Sequence, residues 1–309
     1  MIARVYRRIA RSFDNGVQEF IKRSFPFWQR FGLHVTPNHF YYPIPDTASL
    51  GDELWKRRST LPGIDLNEAG QLALLSQFAN DFKAEYDRLP RDPTPVAHQY
   101  FVNNPGFTAV DGEVLYCMIR HFKPSRFLEI GAGNSTYLAA QATLKNRDDT
   151  GKDYVLIACE PYPNAVLKGG FPGLTSLRPT VVQNIPLADF KDLKENDILF
   201  IDSSHVLKIG SDVQYLFLEV LPVLRKGVVV HVHDIFLPAE YPREWIVDQH
   251  FFWTEQYLLQ AFLSFNDSFE VLWAGSYMHL THPEKLEKAF SSYKRDAWWP
   301  GSFWMRKTK

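Results

Sequence analysis

The segment Arg126-Phe-Leu-Glu-Ile-Gly-Ala-Gly-Asn-Ser-Thr136 decides which fold this chain can adopt. A short apolar run containing one acid is followed by two glycines, and a helical pattern of apolar residues then begins. A strand, a glycine turn and a helix together receive a nucleotide-like ligand at the carboxyl edge of a parallel sheet. Glycine permits close approach of the backbone to such a ligand and backbone angles closed to other residues. The residues that we expect to bind this ligand are Glu129, Gly131, Gly133, Asn134 and Ser135.

The spacing of the glycines distinguishes a dinucleotide from a ligand with a cationic end. The pattern is G-x-G-x-x-T, because Thr136 stands where a dinucleotide-binding fold has its third glycine. Glu129, two residues before the first glycine, is a poor neighbour for a pyrophosphate but suits a ligand with a cationic end. A nicotinamide-dependent oxidoreductase is therefore disfavoured and stays as an alternative.

The acid-x-G-x-G motif resembles the first motif of the class I S-adenosylmethionine (SAM) methyltransferases. The resemblance covers about residues 96–309. It implies an α/β fold: a doubly wound, mostly parallel, seven-stranded sheet with a reversed closing strand, and SAM as the cofactor. The alternation of strand and helix patterns along the chain independently predicts a parallel sheet with helices on both faces.

Residues 1–95 are predicted to form a helical N-terminal extension, and residues 96–309 the SAM-binding domain. The boundary is placed at Pro90-Arg-Asp-Pro-Thr-Pro95, the clearest break in the chain. Helices are expected over 64–89, 110–121, 135–145, 211–224 and most of 244–265. Strands are expected over 126–130, 154–159, 179–182, 197–201, 227–233, 269–273 and 302–306, with a polar loop over 146–153.

Composition restricts the setting of the protein. A hydrophobic content of 45% predicts an ordinary globular core, and a net charge of -1 gives no general attraction to nucleic acid. No apolar run approaches the roughly 18 residues of a membrane span, and no signal-peptide pattern is present. Cys117 and Cys159 lie in apolar runs and are expected to be buried and reduced. These features predict a cytoplasmic protein; whether it forms a homo-oligomer stays open.

Two N-terminal segments allow alternatives. Residues 1–31 form a basic amphipathic pattern, which indicates a helix packed on its own domain or one bound to anionic lipid or a polyanion. The proline-rich segment 32–46 contains two histidines and three consecutive aromatic residues, so it can line a substrate cleft or fill the edge of the core.

The ends of the predicted strands carry acids. By the resemblance, Glu160 at the end of the second strand would accept hydrogen bonds from the ribose hydroxyls, and Asn184 after the third strand would lie near the adenine. Glu160 as a solvated loop acid is the alternative.

A second group, Asp202-Ser-Ser-His205 with His231-Val-His233-Asp234, resembles the metal-dependent O-methyltransferases of the catechol and caffeoyl-CoA type. The resemblance implies that Asp202 and Asp234 bind a divalent metal and that His205 is the general base, with Asp202 also near SAM. Ile235 stands where that family has a metal-binding asparagine, so His233 is the expected third ligand, with His205 as the other candidate. Carboxylates alone would favour magnesium, whereas a histidine ligand would favour a softer transition metal. The alternative is that the histidines are hydrogen-bonded under a lid and Asp202 binds only the SAM ammonium.

The loop after the fifth strand is predicted to form a wall of the acceptor pocket, with Tyr241 and Trp245 as aromatic platforms. The sequence therefore predicts a SAM-dependent methyltransferase acting on a hydroxyl of a small molecule such as a sugar or natural product. A non-catalytic SAM- or nucleotide-binding module is a further alternative, disfavoured by the acids and histidines at the strand ends.

Overall fold

The computed structural model describes the backbone of residues 2–309 and the side chains from residue 16 onward. Seven strands form one sheet: β1 Arg126–Ile130, β2 Val155–Cys159, β3 Ser176–Arg178, β4 Ile198–Ile201, β5 Val229–Val232, β6 Phe269–Ala274 and β7 Phe303–Lys307.

The strand order in the sheet is β3-β2-β1-β4-β5-β7-β6. The strands from β3 to β5 are parallel, and β7 is inserted antiparallel between β5 and β6. The predicted doubly wound, mostly parallel seven-stranded sheet with a reversed closing strand is confirmed. Because the order reverses between β1 and β4, the carboxyl ends of these two strands border the crevice in which such sheets bind ligands.

The helices are, in chain order, α1 Ile2–Gln29, α2 Asp52–Lys56, α3 Glu68–Tyr86, α4 Asp111–Phe122, α5 Asn134–Thr150, α6 Ala165–Gly169, α7 Leu187–Lys191, α8 Asp212–Tyr215, α9 Leu221–Val223, α10 Arg243–Val247, α11 Glu255–Leu263, α12 Gly275–Thr281 and α13 Pro283–Ala289. A π-helical turn over Leu216–Val220 joins α8 to α9. Within residues 2–309, no helix combines the length and the apolar character needed to cross a bilayer.

The sheet separates two apolar cores. On β4, Phe200 packs with α4 and α5 in one core, whereas Ile201 packs with α9 and α11 in the other. This alternation follows from the two-residue period of a strand and explains why the central strands are mostly apolar on both faces. Cys117 and Cys159 are buried free cysteines, one in each core, as predicted.

The predicted polar loop is wrong for residues 146–150, where helix α5 continues to Thr150 and is capped by Gly151 with a φ of 67°, whereas residues 151–153 have no regular structure. Asn146 is fully buried, and its side-chain amide donates to the carbonyl of Ile119 at 2.9 Å. Its carbonyl oxygen accepts from Arg120. Asn146 therefore pairs inside the protein, whereas Arg147, Asp148 and Asp149 lie on the exposed side of the same helix.

The third strand lies at Ser176–Arg178, three residues before the predicted 179–182. Proline has no N–H to donate to a neighbouring strand, so the ladder ends before Pro179. The apolar Val182 instead begins a short 3-10 turn and is buried there.

The chain divides into two compact units: Met1–Leu54 with Glu244–Phe252, and Trp55–Arg243 with Trp253–Lys309. The units do not divide at the predicted boundary after residue 95. Helix α3 lies in the second unit, where Leu75 and Phe78 are buried in the core beside α4. Its apolar face thus completes a core that the prolines between α3 and α4 do not interrupt.

The first unit exposes much of its apolar surface. The predicted helix over residues 1–31 is present as α1, but Phe20, Phe27 and Phe31 are each more than half exposed. Phe40 and Tyr41 in the 32–46 segment are about four-fifths exposed, so they do not fill the edge of a core. The basic residues before Gly16 lie outside the described side chains.

Candidate active site

The glycine turn after β1 packs against the backbone at the end of β4. Gly131 has a φ of 84°, and a Cβ atom there would lie 1.6 Å from the carbonyl oxygen of Asp202. No other residue fits this position. Gly133 is different: its φ of -172° is open to any residue, and no protein atom lies within 4 Å of a Cβ placed there. The space beside Gly133 is therefore free for a ligand, and the expectation of unusual backbone angles holds for Gly131 alone.

Glu129, the acid of the turn, is fully buried in β1. The hydroxyl of Ser135 donates to its Oε1 at 2.6 Å, while Oε2 has no hydrogen-bond partner among the described residues. Burial raises the pKa of Glu129 to about 8, bonds from Ser135 and Thr136 oppose that change, and the charges of Asp202 and Glu160 add to it. The buried, unpaired oxygen of this carboxyl group can accept a hydrogen bond from a cationic group.

The start of α5 is held internally. Thr136, which replaces the third glycine, accepts a hydrogen bond from the N–H of Gly133 at 2.9 Å. Ser135 is buried against Glu129, so its hydroxyl supports the turn from behind, whereas Asn134 is half-buried at the first helical position.

A cavity of about 450 Å³ opens at the carboxyl ends of β1, β2 and β4. Glu160 and Asp202 line it, together with Gly131 and Gln183. The carboxylate of Glu160 accepts hydrogen bonds from the N–H groups of Ala132 at 3.3 Å and Tyr162 at 2.7 Å. These bonds fix the carboxylate at the wall of the cavity, where a ligand hydroxyl could reach it.

Asn184 does not line this cavity. Its side chain is exposed and donates to Thr180 Oγ1 at 3.1 Å. The preceding residue, Gln183, lines the cavity instead, because the 3-10 turn at 182–184 points successive side chains in different directions.

Three side chains meet beside the cavity. His205 Nε2 lies 3.4 Å from Asp202 Oδ1 and 3.5 Å from Asp234 Oδ2. One ligand atom from each residue can be chosen so that all three lie within 4.8 Å of one another. His205 and Asp234 both have left-handed backbones, with φ values of 58° and 55°. Such conformations are uncommon outside glycine and concentrate at functional sites.

The charges of this group are strongly coupled. Burial lowers the pKa of His205, but hydrogen bonds to Asp202 and Glu255 outweigh it and hold the pKa well above its usual range. Burial raises the pKa of Asp202, yet His233 and His205 outweigh it and the pKa is lowered. Burial also raises the pKa of Asp234, and the same histidines oppose it only in part. A positive charge is thus favoured among these carboxylates.

His231 within β5 and His233 directly after it are both buried. His231 is fully buried, and its ring stacks on Phe200 with the ring centroids 3.8 Å apart. Its Nε2 is hydrogen-bonded to Ser302 Oγ at 3.0 Å. His233 Nε2 lies 3.6 Å from Asp234 Oδ1, but the ring is buried against Phe107 at 4.9 Å. Among the described residues, the group with metal-ligand spacing contains His205 and not His233.

Glu255 is a site residue that the sequence did not indicate. It begins α11, fifty positions after His205, and its Oε2 lies 3.0 Å from His205 Nδ1. An acid in the first turn of a helix is common and carries no functional signal by itself. Only the folded chain shows that this one faces the candidate site.

The predicted acceptor wall is mostly core. Ile235 and Tyr241 are about 1% exposed, so Tyr241 offers no free ring face, and Gln256 N donates to its hydroxyl at 3.1 Å. Trp245 is half-buried and belongs to the first compact unit. The apolar sequence of this loop reflects packing.

The residues present fit a divalent metal ion. Two carboxylates and one imidazole nitrogen form a mixed oxygen–nitrogen ligand set, and their spacing allows each to contact a shared ion. A histidine ligand favours a transition metal over magnesium.

Comparisons with known proteins agree with this architecture. Residues 128–235 match the protein family described as "Methyltransferase domain". The chain is 30% identical over 177 residues to an uncharacterized protein of Archaeoglobus fulgidus. This match covers 54% of this chain and 77% of that protein.

Two solved structures are similar at low sequence identity. An O-methyltransferase from Bacillus cereus in complex with SAH is 15% identical, with a TM-score of 0.35, over 77% of this chain and 91% of the other. An SAH-bound methyltransferase from Podospora anserina is 15% identical, with a TM-score of 0.36, over 76% and 88%. At these TM-scores the two structures carry no conclusion about function.

Proposed function

Because this chain belongs to the class I SAM-dependent methyltransferases, we propose that it methylates a hydroxyl group of a small molecule with the assistance of a divalent metal ion. The acceptor class is a sugar or natural product. One observation carries the proposal: Asp202 lines the cavity and also belongs to the group formed with His205 and Asp234. The methyl donor and the groups that act on the acceptor would therefore be adjacent.

In this proposal the cavity holds SAM. Glu160 accepts hydrogen bonds from the ribose hydroxyls, and the open space beside Gly133 receives the amino acid end of the ligand. The unpaired oxygen of Glu129 faces its ammonium group, and because the pKa of Glu129 is raised to about 8, the carboxyl group would lose its proton as the cation binds. Each of these assignments is supported by the position of the residue at the carboxyl edge of the sheet.

The reaction transfers a methyl group from sulfur to oxygen. The acceptor oxygen forms a bond to the methyl carbon, the carbon–sulfur bond breaks with its electron pair on sulfur, and the hydroxyl proton leaves to solvent. Asp202, His205 and Asp234 would hold the metal ion. A bound divalent ion lowers the pKa of an oxygen that it contacts, which makes the hydroxyl a better nucleophile.

A second role for His205 is that of general base. Its Nδ1 is held by Glu255, so the only free lone pair of a neutral ring is on Nε2, which faces Asp202 and Asp234. That lone pair can accept the hydroxyl proton or bind a metal ion, but it cannot do both. The raised pKa of His205 opposes both roles in the same way, because a proton on Nε2 occupies that lone pair and would have to leave before a metal ion binds.

Calorimetry tests the proposal. SAM and S-adenosylhomocysteine should bind and NAD should not. Transfer to a hydroxyl acceptor should stop in chelator and return with one divalent ion. Binding of NAD in place of SAM would favour the oxidoreductase alternative, and full turnover in chelator would remove the metal from the proposal.

A further inference from the structure

We propose that Glu255 is a positioning residue, which holds the ring of His205 with Nε2 directed at Asp202 and Asp234. The inference rests on the proposed metal site, because it assigns to Glu255 the orientation of one ligand. When Glu255 is ionised its carboxylate can only accept, and Nδ1 of His205 is then the donor in the 3.0 Å contact. In a neutral ring, that bond leaves the lone pair on Nε2.

The main chain fixes His205 on the same side. Its carbonyl oxygen accepts from the N–H groups of Thr254 at 2.9 Å and Glu255 at 3.1 Å. The left-handed backbone of His205 turns this carbonyl onto the first N–H groups of α11, and Leu207 N donates to Thr254 Oγ1 at 2.8 Å. Three hydrogen bonds therefore join the loop after β4 to the start of α11.

A purely structural explanation does not account for the burial of Glu255. An acid at the start of a helix interacts favourably with the helix dipole and is ordinarily solvated. Glu255 is 0% exposed, and its Oε1 has no hydrogen-bond partner in the part of the chain described with side chains. Burying a carboxylate with one oxygen unpaired is costly, and a helix needs no such group to begin.

The arrangement matches a general feature of metal sites. A ligating histidine usually donates its second ring N–H to a carboxylate or carbonyl, which fixes the tautomer and the ring orientation. Loss of that partner typically weakens metal binding by about 10–100-fold. Here Nε2 faces the two aspartates and Nδ1 faces Glu255, so the three acids surround one imidazole.

The test measures metal affinity directly. Cobalt(II) is titrated into the full chain and its absorption spectrum recorded, for the unaltered protein and for Glu255→Gln. We expect the dissociation constant to rise by about 10–100-fold and the spectrum to change, because a neutral amide oxygen accepts from Nδ1 more weakly than a carboxylate and holds the ring less firmly. Glu240→Gln is the matched control, because Glu240 accepts hydrogen bonds from Gln256 and Tyr257 of α11 but does not touch His205. It should bind cobalt like the unaltered protein.

The outcomes separate the two proposals. If the unaltered protein binds cobalt and Asp202→Asn does not, the metal site stands. An unchanged affinity and spectrum in Glu255→Gln would then overturn the positioning role alone. If the unaltered protein shows no saturable binding, the metal site and the role of Glu255 both fall. Should Glu255→Gln not fold, Glu255→Asp replaces it, because a shorter carboxylate should weaken binding while keeping the charge.

Discussion

The carbonyl oxygen of Asp202 occupies the place that a side chain on Gly131 would need, since a Cβ there would come within 1.6 Å of it. The turn after β1 and the end of β4 are therefore in direct backbone contact. This contact sets the distance between the cavity wall and the group formed by Asp202, His205 and Asp234. A change at Gly131 should consequently affect folding and ligand binding together.

We predict that Gly131→Ala lowers the thermal midpoint of unfolding and abolishes SAM binding. A left-handed backbone costs a residue with a Cβ about 1–2 kcal/mol, and the overlap with Asp202 adds to this cost. Gly133→Ala is the matched control, because its Cβ meets no protein atom. It should unfold at a normal temperature, and any loss of SAM affinity would report the ligand itself. Equal stability of the two variants would contradict the prediction.

Glu160→Ala should weaken SAM binding by about 1.5–3 kcal/mol, the contribution of a hydrogen bond to a charged group. The reason is its place at the cavity wall, held by two backbone N–H groups. Calorimetry measures the change. Asn184→Ala serves as the control, because Asn184 is exposed outside the cavity. An affinity reduced more by Asn184→Ala than by Glu160→Ala would restore the sequence-based placement of Asn184 near the adenine.

Glu129 should make stability depend on pH. Its pKa is raised to about 8 in the folded protein, against about 4.3 in an unfolded chain. Its contribution is therefore fully present below the unfolded value and is lost as pH rises through the folded value. Between pH 5 and 8 the free energy of unfolding should fall by roughly 1 kcal/mol per pH unit from this group.

Glu129→Gln removes this titration while keeping an acceptor for Ser135. Urea unfolding of both proteins across pH 5 to 8 gives the comparison, and the difference between them should grow with pH in favour of the variant. Parallel stability profiles would mean that the carboxyl group is not protonated in the folded protein.

The sequence predicted the centre of the sheet better than its surroundings. Strand β1 lies at the predicted Arg126–Ile130, because a short apolar run before a glycine turn allows little else. The polar stretch after Lys145 misled the prediction, since Asn146 is buried and bonded to Ile119 and Arg120. Polar residues that face solvent, such as Arg147 and Asp148, can equally be the exposed side of a helix.

The sequence predicted the site residues that end neighbouring strands but not those that come from distant parts of the chain. Asp202 and Asp234 follow neighbouring strands, so the parallel sheet brings them together, as expected. His205 rather than His233 completes the group, because its left-handed backbone turns the ring back toward the strand ends. Glu255 lies fifty residues from His205, and no periodicity connects the two.

The last prediction separates the two roles of His205. As a metal ligand, His205→Ala should lose bound metal, and added ion should restore little activity. As a general base, the same variant should keep its metal and its SAM affinity while kcat falls by roughly 10²–10⁴. Elemental analysis and single-turnover rates distinguish these results.

The pH dependence of the variant gives an independent measure. If His205 only accepts the proton, the residual rate of His205→Ala should rise with pH, because the acceptor hydroxyl then ionises without help. His233→Gln tests the other imidazole: it should keep its metal, since His233 is buried against Phe107 and outside the three-residue group. Loss of metal from His233→Gln but not from His205→Ala would transfer the ligand role to His233. An undiminished kcat in His205→Ala would leave Asp202 and Asp234 as the only groups of this cluster that act on the acceptor.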